Sequence, residues 1–90
     1  MYYDELVQLI EKVLNGDFEK KVLEQYMEET FDFEKIYDSD DELLTDVFFT
    51  LKHYLSGEEE VNKKEWLYLK KCLLGRCGYS MEEKMRVITE

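Results

Sequence analysis

The sequence predicts an all-α fold, an antiparallel bundle of four helices with a short C-terminal helix, built as a single domain over residues 1–90. Three observations predict it. Apolar residues recur at helical spacing, proline is absent, and Gly16, Gly57, Gly75 and Gly78 stand between the periodic segments, where helices stop. Ninety residues hold one core, because two would each fall near the size that needs metals or disulfides.

The first helix is carried by Leu6, Leu9, Ile10, Val13 and Leu14, one apolar stripe ending at Asn15-Gly16. Asp17 is the expected N-cap of a second helix, in which Phe18, Val22, Leu23, Tyr26 and Met27 repeat the spacing toward Thr30. Helices one and two are expected to lie antiparallel. Over residues 31–38, FDFEKIYD is open between a short strand and an irregular connection, and a loop with one turn is favoured. Ser39-Asp40-Asp41-Glu42 has the form of a capping box and opens the third helix. Its stripe of Leu43, Leu44, Val47, Phe48, Leu51, Tyr54 and Leu55 marks the central core helix, with Phe49 off the main face.

Asn62-Lys63-Lys64-Glu65 offers a second box ahead of Trp66, Leu67, Leu69, Leu73 and Leu74, a fourth helix ending near Gly75. Ser80-Met81-Glu82-Glu83 is the third box. It opens a short terminal helix whose Met81, Met85 and Ile88 are expected to lie on the bundle.

Composition narrows function by exclusion. Twenty-two acids against twelve bases give a net charge of −10, which argues against nucleic acid or an anionic membrane as a direct partner. A hydrophobic fraction of 44% supplies enough apolar surface to fold beside 38% charged residues. MYYDELVQLIEK has no positive n-region, and no stretch has the roughly 20 apolar residues of a membrane span, so a cytoplasmic protein is expected. Cys72 and Cys77 are expected to be free, and with His53 the only imidazole, neither a metal site nor any cofactor is implied.

Catalytic signals are weak. Carboxylate pairs are too abundant to single out, and Asp38, Asp40 and Glu42 mimic a calcium loop only until the position that needs glycine, which is Leu43. His53 has no nucleophile at a useful spacing and reads as a surface or boundary imidazole. Lys70 and Lys71 would lower the pKa of Cys72, but a half-buried structural cysteine is the preferred reading. The chain is not expected to be an enzyme.

Charge layout carries the clearest functional signal. Residues 1–60 hold eighteen acids and five lysines, a net of −13, whereas residues 61–90 hold four acids and seven bases, a net of +3. Between positions 28 and 46, nine acids (Glu28, Glu29, Asp32, Glu34, Asp38, Asp40, Asp41, Glu42, Asp46) face Lys35 alone. Solubility and the helix dipole at Ser39 account for part of this. The functional account is a partner-binding patch: those nine acids with Phe33 and Tyr37 among them imitate phosphates and bases and fit a basic cleft. Tyr2, Tyr3, Phe31, Phe33 and Tyr37 are the aromatics expected to include interface anchors.

YYDELVQLIEKVLNGDFEKKVLEQY, LLTDVFFTLKHYL and NKKEWLYLKKCLLG together resemble the colicin-like bacterial self-protection immunity family, the group that includes the immunity protein of colicin D. The tail RCGYSMEEKMRVITE stands outside the resemblance. It implies a helical bundle that binds the ribonuclease domain of a toxin and covers its active site, acids standing in for RNA phosphates. No family contact residue is carried over; the acidic set comes from the local charge count. The alternative is a small regulatory or adaptor bundle that holds a protein partner through an aromatic groove.

Overall fold

The computed structural model describes residues 2–16 and 18–89, so the expected cap Asp17 lies outside the described residues. Among them are six helices and no strand: α1 (Tyr3–Asn15), α2 (Lys20–Thr30), α3 (Phe33–Asp38), α4 (Glu42–Ser56), α5 (Lys63–Leu73) and α6 (Met81–Thr89). The all-α class holds. The expected plan of four helices and an appendage becomes six helices, because residues 33–38 form a short helix where a loop with one turn was favoured.

The stripe of α1 buries Leu6, Leu9, Ile10 and Val13 as its spacing requires, and Val7 joins them. Gly16 ends the helix at φ +72, where its N–H reaches the carbonyls of Lys12 at 3.1 Å and Val13 at 3.2 Å. A left-handed residue at this point favours glycine. The stripe of α4 buries Leu43, Leu44, Val47, Phe48, Leu51 and Leu55. This helix touches α1, α2, α3 and α5, which makes it the central helix. Burying a side chain such as Leu6, Ile10, Leu51 or Leu69 contributes roughly 1.5–3 kcal/mol each.

For the first two helices, neighbours in sequence are not the main neighbours in space. α1 packs chiefly on α5, and α2 chiefly on α4. The stripe of α2 is narrower than its spacing suggested, since Leu23 and Met27 are buried while Val22 and Tyr26 are exposed. On α5, Trp66, Leu69 and Leu73 point inward as expected and Cys72 joins them, whereas Leu67 and Leu74 face outward.

None of the three capping boxes closes on both sides. Ser39 ends α3 instead of opening α4: its hydroxyl donates to the Ile36 carbonyl at 2.7 Å and accepts from the Asp41 N–H at 3.2 Å. Asp41 is the cap of α4, accepting from the Leu44 N–H at 3.1 Å. Asn62 accepts from the Glu65 N–H at 2.8 Å and Ser80 from the Glu83 N–H at 3.1 Å, as the boxes require. The glutamates do not reach back, because Glu65 pairs with Lys84 and Glu83 with Arg86.

The terminal helix departs from its apolar pattern at both methionines, while Ile88 is half-buried. Met81 and Met85, expected to lie on the bundle, are 55% and 52% exposed, and Lys84 is 7% exposed. The cause is a set of polar partners already waiting in the wall of the bundle. Lys84 Nζ lies 2.8 Å from Asp46 Oδ2 and 3.1 Å from Glu65 Oε2. A buried cation is tolerated where it is paired and hydrogen-bonded.

Candidate functional site

The candidate face is built on α3. Asp32 opens it, its Oδ1 accepting from the Glu34 N–H at 3.0 Å and the Lys35 N–H at 3.4 Å. Ile36, 1% exposed, is its buried anchor. Phe33 and Tyr37, one turn apart, share the opposite side, and their rings stack 5.9 Å apart. They remain 42% and 65% exposed. Behind them, Phe33 meets Phe49 edge-on at 5.5 Å, and Phe49 continues the line to His53 at 6.0 Å.

Two depressions flank this ridge. One, lined by Glu24, Met27, Glu28, Phe31, Phe33, Phe48 and Lys52, is an apolar notch between α2 and α4. Lys52 lies over its aromatic edge, with Nζ 5.4 Å from the centre of Phe33. The other is a shallower cleft toward α6, where Tyr37, Asp40, Glu42, Phe49, Tyr79 and Met81 meet.

The nine acids separate into two groups. Glu28, Glu29, Asp32, Glu34, Asp38, Asp40 and Glu42 are exposed. Glu34 and Asp38 share α3 with the ridge, with Asp32 at its start; Asp40 and Glu42 line the cleft beside Tyr37, and Glu28 lines the notch beside Phe33. Glu29 accepts from Gln25 Nε2 at 3.2 Å and lines neither depression. Asp41 and Asp46 are occupied inside the fold. Asp41 accepts from the Tyr3 hydroxyl at 2.5 Å as well as capping α4. Asp46 accepts from the Tyr79 hydroxyl at 2.6 Å and from Thr50 at 3.2 Å, and its charge is matched by Lys84.

These bonds hold phenolic protons. Burial, with the Asp41 bond added, pushes the Tyr3 hydroxyl up to about 12. Burial and then Asp46 push Tyr79 up as well. For Lys84, burial pulls the pKa down, but Asp46 and Glu65 outweigh it and the net shift is upward.

Of the five aromatics expected to include anchors, three are used internally. Phe31 is buried and meets Tyr2 at 4.9 Å, and Tyr3 is tied to Asp41. Only Phe33 and Tyr37 stay exposed. Sequence reasoning missed Phe49, Met81 and the pair Glu59 and Glu60, which come beside Phe49 and His53 in a further depression. A usable signal existed for Phe49, which lies off the α4 stripe and so had to face something other than the core.

Among the described residues no group of histidine, cysteine and carboxylate side chains forms a candidate metal site, and no helix is long and apolar enough to cross a membrane. No protein-family model, curated protein or solved structure matches the chain.

Proposed function

We propose that the chain is a bacterial immunity protein or antitoxin, which binds and inhibits a basic nuclease toxin by occupying its substrate cleft. The observation that carries the reading is the exposed Phe33–Tyr37 stack flanked by the free carboxylates of Glu34, Asp38 and Asp40. Such a face presents negative charge and flat rings together, as a nucleic-acid strand does. The resemblance to colicin-like immunity proteins and the net charge of −13 over residues 1–60 point the same way. Electrostatic steering would set the association rate, and the two rings would slow release.

The test uses the basic C-terminal domain of a toxin encoded next to this chain. Stoichiometric loss of its nuclease activity is expected, with an association rate that falls steeply with salt. Glu34→Gln, Asp38→Asn and Asp40→Asn together should slow association about tenfold at low salt, within the range that steering supplies. An unchanged rate, or a neighbourhood without any such toxin, sinks the reading.

The second reading, an adaptor that grips a partner through aromatic contacts, is favoured by the apolar notch between α2 and α4. It predicts that the triple charge variant binds normally while Phe33→Ala does not.

A further inference from the structure

At the C-terminal end of α5, away from the α3 face, the two cysteines meet. Cys72 is buried in the last turn of α5, and Cys77 is half-buried in the connection that follows. Their sulfur atoms lie 3.4 Å apart. A tight reversal brings them together: Gly75, at φ +77, donates its N–H to the Cys72 carbonyl at 3.0 Å, and the Arg76 N–H reaches the Lys71 carbonyl at 2.9 Å. The left-handed step at Gly75 folds the chain back so that Cys77 returns over Cys72.

We propose that Cys72 and Cys77 are a redox-active dithiol, which a low-molecular-weight disulfide closes into an intramolecular disulfide that staples the connection between α5 and α6. A disulfide bond is about 2.05 Å long, so the sulfur atoms must approach by roughly 1.4 Å. Cys77 lies between α5 and α6 at a half-buried position, where no helical hydrogen-bond ladder holds its backbone against that movement.

The exchange balances with glutathione disulfide as the oxidant. Cys77, the more exposed thiol, loses its proton and attacks one sulfur of the oxidant, forming a mixed disulfide and releasing one glutathione thiolate. Cys72 then gives up its proton and attacks the Cys77 sulfur. The mixed disulfide breaks and the second glutathione leaves. Two electrons pass to the oxidant, and the two thiol protons end on the two glutathiones. Burial, followed by the hydrogen bond with Cys77, pushes the Cys72 thiol up to about 11. That is opposite to the lowering expected from Lys70 and Lys71, and Lys70 is engaged instead with Glu11 at 3.4 Å. The buried thiol therefore serves as the second, slower, base-accelerated nucleophile.

The staple bears on α6 through Tyr68. Its hydroxyl is 3.3 Å from the carbonyls of both Gly78 and Ser80 and accepts from the Ser80 N–H at 3.1 Å, clasping the end of the connection on which α6 begins.

The purified full chain is equilibrated in graded glutathione buffers, quenched with acid, alkylated and weighed. Both thiols are expected to disappear together, with the loss of two hydrogens from a monomeric chain. The second step should quicken about tenfold per pH unit between pH 7 and 9, as the thiolate fraction does below its pKa. Cys72→Ser should stop at a persistent glutathione adduct on Cys77; Cys77→Ser, at a half-exposed site, should give no disulfide and covers the case in which the buried substitution fails to fold. In the oxidised chain, amides of residues 81–89 should exchange several-fold more slowly. A wild-type adduct that persists with Cys72 still open to alkylation overturns the dithiol, and unchanged exchange in α6 overturns the staple.

Discussion

Asp38 and Asp46 belong to one acidic run of the sequence and end in opposite environments. Asp38 closes α3 beside the exposed Tyr37 and faces solvent. Asp46, on the wall of α4, receives Lys84, Tyr79 and Thr50 and helps seat the terminal helix. What separates them is the direction their helices give them and whether a cation can reach. The positive tail of the sequence, net +3 over residues 61–90, therefore does not form a second pole throughout, because Lys84 is folded back onto the acidic half.

The largest effect expected from breaking this contrast comes from Lys84→Met. It would leave Asp46 and Glu65 with no matching cation, and about 3–5 kcal/mol of stability should be lost, measured by urea denaturation. A loss under 1 kcal/mol would show that the carboxylates are hydrated. Next in size is one substitution made at both ends of the comparison. Asp46→Asn should cost about 2 kcal/mol, as charge-assisted hydrogen bonds are lost, and Asp38→Asn should stay within about 0.5 kcal/mol. Equal costs would erase the distinction.

The smallest change is expected from pH. Tyr3, Tyr79 and Lys84 all hold their protons more tightly in the fold than in the free chain. Above about pH 10, where the unfolded tyrosines release theirs, the folded state binds more protons than the unfolded one, so stability declines as pH rises. For Tyr3 the loss spans the interval from about 10 to about 12. The Cys72 thiol, pushed up to about 11, starts the decline earlier, so urea midpoints should hold level up to about pH 8 and fall by pH 10.5. A midpoint that rises over that interval contradicts the shifts.

Much of the fold was legible because α1 and α4 carry strong single stripes, and spacing alone decides which residues go inside. α3 was missed for a physical reason. Its six residues are too few to show a period, and its order comes from the Asp32 cap and the Ser39 bond to Ile36. α6 was misread because the apolar spacing of Met81, Met85 and Ile88 says nothing of a buried cation whose partners lie on α4 and α5. The candidate face was legible at Phe33, Tyr37 and the acids of α3. Asp41 and Asp46 were not separable from them, since a charge count cannot register which carboxylates are already spoken for.

The ridge stands on a helix too short to persist alone, since helices of this length are marginal in water. Phe33 and Tyr37 are thus presented only while α4 stands behind them and Ile36 is seated. Whatever grips that ledge reads the integrity of the whole molecule, and a half-unfolded copy offers nothing to hold.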